Sequence, residues 1–238
     1  MFLVARPVFE GNQNKLLMKK HLLFFAFAAL LSPTLSAQFS LAVQGGIQSS
    51  RHVYSGEFFQ IIPGASTNPP RFLAGYHIGL VPAFKAESGK IEVFVPLSFV
   101  ERQFQFGPEV PDTPISRDRF RSLELNPRIG IFIGPDFSVL AGMYGSYIVQ
   151  THVNHNEDGW SVVPDWIRKQ LYNSFEVGFT GGLRYAVNRF HIYGNVQYGL
   201  SPLLDMQFTD VNGEPLDKFS GRNLAFQLGL GYTIISGK

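Results

Sequence analysis

The chain contains no cysteine. Disulfides, thiolate metal sites, a cysteine nucleophile and a lipoprotein anchor are therefore all excluded. It also lacks a run of 18 consecutive apolar residues, so no segment could cross a bilayer as a helix. The longest apolar run, Leu22 to Leu31, is ten residues and too short to span. There is no glycine-rich phosphate loop, no paired zinc-ligand motif, no nucleophile elbow and no nucleic-acid module. What is abundant instead is glycine, with 24 residues, and aromatic side chains, at 14%.

The short apolar run has a recognisable setting. Lys19 and Lys20 precede it, and Pro33, Ser36, Ala37 and Gln38 follow. A basic start, an apolar core and a small-residue exit read as a secretory signal peptide. Met18 is the expected start, residues 1–37 are the upstream extension and signal, and 38–238 form a single mature domain. Removing Arg6, Lys15, Lys19, Lys20 and Glu10 takes the chain from 20 basic and 18 acidic residues to 16 and 17. The basic balance of the full sequence thus resides in the signal and does not point to nucleic acid.

The mature sequence alternates with period two. From Asn223 to Ile234 every even position is apolar (Leu224, Phe226, Leu228, Leu230, Tyr232, Ile234) and every odd position is small or polar. One face therefore meets an apolar medium and the other a polar one. Seven more segments carry the pattern, beginning near Phe39, Phe72, Ile91, Leu123, Phe137, Phe175 and Phe190. The fifth is the least regular, because Leu140, Tyr144 and Ile148 interrupt its polar face. Long polar connections, roughly 49–71, 107–118, 153–171 and 205–221, alternate with short turns at Glu87–Lys90, Gly134–Asp136 and Asn188–Arg189. Short turns on one rim and long loops on the other, with an even strand count, describe a membrane barrel whose termini are periplasmic. The expected fold is all-β: an eight-stranded antiparallel up-and-down transmembrane β-barrel preceded by a signal peptide, in the cell outer membrane.

Alternation alone does not say which face is out, and a soluble lipocalin-like binder or sandwich would invert it. The polar face carries mainly Gly, Asn, Gln, Ser and Thr, whereas a solvated sheet would carry many Lys and Glu. Phe39, Phe72, Phe120, Phe137, Phe190 and Tyr232 lie near strand ends, as interface girdles do. Both features favour lipid outside.

The inward faces then hold Glu92, Glu124, Arg128, Glu176, Arg184, His77 and His191, expected to form an ion-paired network filling the lumen. The segment His152–Asp158 groups two histidines and two carboxylates in a loop, yet at no spacing that fixes a metal site. Trp160 and Trp166 offer a surface contact or a membrane-interface anchor. Ser146, His152 and Glu176 could be drawn as a hydrolase set, although no elbow surrounds the serine. No cofactor is implied.

The whole mature chain resembles the PorT-like outer-membrane β-barrel family of Bacteroidetes-type small outer membrane proteins. The resemblance lies in Ser36-Ala37-Gln38, in Leu123–Pro127, in Ala141–Tyr147, in Phe175–Tyr185, in Tyr198–Pro202 and in Leu228–Tyr232. It implies an outer-membrane location. The end is also similar to the signal read by barrel-assembly machinery, with Gln227, Gly229, Tyr232 and Ile234 at its polar, glycine and hydrophobic positions. The expected role is a non-enzymatic integral barrel, structural or interacting through its loops. Its expected partners are outer-membrane lipids, the assembly machinery and an unidentified protein at the long loops. The alternatives are a lipid-modifying outer-membrane enzyme, a narrow pore, or the soluble binder.

Overall fold

The computed structural model describes residues 4–6, 38–55, 71–106, 116–154, 161–164, 172–209 and 215–237. All regular elements among them are strands: β1 (Val4–Arg6), β2 (Gln38–Ser55), β3 (Leu73–Lys85), β4 (Ile91–Phe94), β5 (Leu97–Phe106), β6 (Ser116–Leu125), β7 (Arg128–Phe132), β8 (Phe137–Asn154), β9 (Ser161–Val162), β10 (Phe175–Val187), β11 (Phe190–Gly199), β12 (Leu204–Thr209) and β13 (Pro215–Ser236).

Their pairing closes a circuit of eight staves. β2 pairs β3, β3 pairs β4 and β5, and these pair β7 and β6 respectively. β6 and β7 pair β8, which pairs β10, which pairs β11. β11 pairs β13, and β13 returns to β2 with Gln227 opposite Gln48. Every one of these pairs is antiparallel, so the sheet is an up-and-down barrel with no free edge in the wall. The third and fourth staves are each split in two, at Pro96 and Pro127, where the missing backbone N–H interrupts the ladder. Neighbouring amides keep the carbonyls there engaged: Val95 N donates to Pro82, Asn126 N to Pro96 and Met143 N to Pro127. β12 continues the seventh stave along the upper part of β13, and β9 pairs the upper part of β8. β1, from the segment assigned to the extension and signal, lies on β12 with Val4 opposite Thr209.

The three short turns fall where expected. Each contains one residue in the left-handed region, Gly89 (φ 67°), Gly134 (φ 91°) and Asn188 (φ 55°). Glycine adopts this conformation freely, and asparagine tolerates it through local hydrogen bonding. The long connections are shorter than the sequence suggests. β2 runs on to Ser55, β6 already begins at Ser116, β8 runs on to Asn154, and β13 begins at Pro215. The hydropathy pattern ends once the outer face leaves apolar surroundings, but backbone pairing needs no apolar face and continues upward.

The wall is apolar outside and polar inside. On β13, Leu228 is 54% exposed and Leu230 66%, while Asn223 and Ala225 are fully buried. Ile47, Ile78, Ile131 and Phe179 are likewise more than half exposed on other staves. Aromatic pairs sit near the ends of this belt: Phe190 with Tyr232 (4.9 Å) and Phe39 with Phe84 (5.4 Å) toward the short turns, and Phe72 with Phe226 (5.4 Å) toward the long connections. Phe120 corrects the girdle expectation. It is buried, because it shares the inward parity of Asp118, Ser122 and Glu124.

A sealed polar lumen as the candidate functional site

An eight-stranded barrel is just wide enough for side chains to fill its interior. Here the filling is layered, with apolar clusters above and below a charged middle. Toward the long connections, Phe104, Phe120, Ile148, Tyr172, Leu203 and Leu204 form a buried cluster, with Tyr54 packed against it. Phe120 lies 5.4 Å from Phe104 and 4.9 Å edge-on from Tyr172. His52 stacks on Phe104 at 4.0 Å, and the Tyr172 hydroxyl donates to Asp118. Toward the short turns, Ala42, Val81, Ala83, Phe94 and Leu140 form a second cluster. Leu140 and Ile148, two of the residues that spoiled the fifth strand's alternation, are thus lumen-facing members of the two apolar layers.

Arg102 on β5 organises the middle. Its guanidinium pairs with Glu124 on β6 and lies 3.5 Å from Glu176 on β10. It also donates to Ser146 of β8 (3.2 Å) and to Gln197 of β11 (3.0 Å). Gln197 in turn donates to Glu124 (2.6 Å), as does Asn126 (3.2 Å). The Tyr144 hydroxyl donates to Glu176 (2.9 Å) and accepts from Asn223 of β13 (3.3 Å). Gln227 of β13 donates to Gln48 of β2 (3.2 Å), whose own amide donates to the Glu101 carbonyl (2.7 Å). His77 of β3 meets the Tyr193 hydroxyl of β11 across the lumen. Buried charges need partners of opposite sign and saturated hydrogen bonding. These contacts supply oppositely charged partners for Arg102, Glu124 and Glu176, and they draw on every stave.

Of the residues expected in this network, Glu124 and Glu176 join Arg102, His77 joins Tyr193, and Glu92 pairs with Arg184 at 3.4 Å. The Arg184 guanidinium also lies over Phe94 at 5.0 Å. Arg128 is buried, with Nε and Nη1 lacking a protein hydrogen-bond partner. A cavity of about 20 Å³ lined by Glu92, Arg128, Arg184, His191 and Tyr193 adjoins it. A space of that size accommodates a water molecule.

Inward glycines face the bulkiest lumen side chains across strand pairs. Gly178 is opposite Tyr144, Gly229 opposite Tyr193 and Gly231 opposite His191. A Cβ on Gly231 would stand 2.1 Å from the His191 ring, and one on Gly178 would stand 2.5 Å from that of Tyr144. These glycines are therefore a packing requirement of the filled lumen.

Arg102 is not among the residues expected in the lumen from the sequence. Carrying the inward parity of Glu92 and Ser98 forward reaches Arg102 and Phe104. The hydrolase set is not assembled: Ser146 faces the lumen beside Arg102, while His152 lies in β8 on the outer face, opposite Arg119. A register shift near Arg121 and Ser122 turns this part of β8 over. His152 and Asn154 are thus strand residues rather than loop residues. His155, Glu157, Asp158, Trp160 and Trp166 lie outside the described residues. Among the described residues no group of histidine and acidic side chains could hold a metal. Of the assembly-signal positions, Gln227 and Gly229 face inward, Tyr232 faces out, and Ile234 occupies a bulge where β13 pairs β2.

No protein-family model matches the chain, and no curated protein does. Among solved structures it is similar to neisserial surface protein A, with TM-score 0.44 and 12% identity over 82% of this chain and 97% of that one. It is also similar to the outer membrane protein OprG of Pseudomonas aeruginosa, with TM-score 0.42 and 11% identity over 83% and 96%. The N-terminal β-barrel domain of OprF from the same organism gives TM-score 0.32 and 18% identity over 84% and 100%.

Proposed function

We propose that this chain is a non-enzymatic integral barrel of the cell outer membrane, of the PorT-like type, acting structurally or by presenting its long connections to a partner. The observation that carries the reading is the polarity of the wall. A closed sheet with isoleucine, leucine and phenylalanine outside and a polar, ion-paired core inside is stable where the surroundings are apolar. The layered lumen supports a plugged barrel over a pore, since apolar clusters lie above and below the charged middle. Ser146 and His152 stand on opposite faces of β8, which supports a barrel without that catalytic set.

The test is fractionation followed by electrophoresis of unheated and boiled samples. The protein should sediment with outer membranes and change mobility on boiling, as SDS-resistant closed barrels do. Recovery in the soluble periplasm with no mobility change would overturn the reading and favour an inverted, ligand-binding barrel. Planar bilayers should show no discrete conductance, and a deletion strain should keep an unaltered lipid profile.

A further inference from the structure

The outer face changes chemistry abruptly at one level. Down the fourth stave, Leu123, Leu125, Ile129 and Ile131 are exposed and apolar. The residues above Leu123 on the same face are Arg121, Arg119 and Arg117. Their neighbours across the ladder are Glu101 and Gln103 on one side and Gln150, His152 and Asn154 on the other. Glu101 lies 3.0 Å from Arg121 and 3.6 Å from Arg119, and Arg121 also donates to Gln150 at 3.2 Å. One carboxylate therefore serves two guanidinium groups, and Arg117 stands exposed beyond them.

The seam between the eighth and first staves repeats the change. Arg222 follows Leu224 upward, Arg51 is opposite Leu224, and Arg222 is opposite Val53. The Arg51 guanidinium lies 4.7 Å above the Phe72 ring at the top of the belt. The outer face at this level thus carries Arg51, Arg117, Arg119, Arg121 and Arg222 beside Glu101. The charge falls in two patches, one on β6 and its neighbours and one on β2 and β13, across the barrel from each other.

Arginine laid at the edge of an apolar belt rests its stem on that belt and turns its guanidinium to the layer just above. In the outer leaflet of an outer membrane that layer holds the phosphates of glycolipid. Guanidinium engages phosphate through paired, charge-assisted hydrogen bonds. We propose that each patch is a binding site for phosphorylated glycolipid of the lipid A class, Arg119 and Arg121 holding a phosphate of one lipid molecule and Arg51 and Arg222 a phosphate of another. The proposal rests on the outer-membrane reading above and names the lipid chemistry that reading leaves open.

The test uses the full mature barrel in zwitterionic detergent, titrated with bisphosphorylated lipid A and with the same lipid after dephosphorylation, bound lipid being counted by native mass spectrometry. The wild type should retain the phosphorylated lipid at least about tenfold more tightly than the dephosphorylated one. R119Q/R121Q and R51Q/R222Q should each lose most of that preference at one of the two sites, whereas E101Q, which removes the competing carboxylate, should sharpen it. All four proteins should still change mobility on boiling, so a failed barrel reading is distinguishable from a failed lipid site. Equal retention of both lipids, or variants that bind like wild type, would overturn the proposal. A copurifying protein lost from R119Q/R121Q, with lipid retention unchanged, would overturn it in favour of a protein contact.

Discussion

Replacing Arg102 with methionine tests the lumen most directly. The change leaves the volume similar but removes the cation facing Glu124 and Glu176, both buried. It also strips a donor from Gln197 and from Ser146. Breaking a buried ion pair by deleting one partner costs about 3–5 kcal/mol, because the remaining charge has no compensation. With a urea slope of about 2 kcal/mol per molar, the unfolding midpoint should fall by roughly 1.5–2.5 M. The assay is urea titration of the barrel refolded into lipid vesicles, read by the mobility shift and by fluorescence of the two tryptophans. The companion variant R102M/E124Q/E176Q removes the orphaned charges and should recover most of the midpoint. If R102M unfolds at the wild-type urea concentration, the charged layer is not a paired core. If the triple variant is no better than R102M, the loss comes from packing and the electrostatic reasoning fails.

G231A should destabilise the barrel by about 1–3 kcal/mol through the clash with His191, and H191A should relieve it in the double variant, read as a midpoint difference in the same titration. L228R places a charge on the outward face midway along β13 and should cost about 2–4 kcal/mol in bilayers. A soluble, well-folded L228R protein without detergent would show the wall to be inverted. F120A should cost about 3–5 kcal/mol by opening the upper apolar cluster. It should still conduct no ions in planar bilayers, because the Arg102 layer remains beneath it.

The barrel was legible because a wall between apolar and polar media imposes period two on each stave, and residues such as Leu224 to Ile234 obey it nearly without exception. The turns were legible because Gly89, Gly134 and Asn188 are the residue types a left-handed turn position favours. The upper staves were not, since Arg119, Gln150 and His152 carry no hydropathy signal once the outer face is polar, and strand and loop then look alike. The register shift beside Ser122 was invisible for a further reason. One extra residue reverses every side chain above it without changing composition. Inward residues Glu92, Glu124, Glu176 and Arg184 followed from parity, but their partners depend on which staves face each other across the lumen. Arg102 was within reach of the same parity, but its place between Glu124 and Glu176 was not.

The pairing of β13 with β2 has a consequence for how the molecule is made. Each other stave pairs a neighbour adjacent in the chain, whereas this contact joins residues as far apart as Gln48 and Gln227, 179 positions. Such a contact is reached late, because the entropy of closing so long a loop must be overcome before any hydrogen bond of the pair forms. Until then β2 and β13 each present an unpaired ladder, which lipid cannot solvate and which a second copy could capture. The meeting of the two ends of the wall therefore sets the rate at which the barrel closes, whatever the stability of the finished wall.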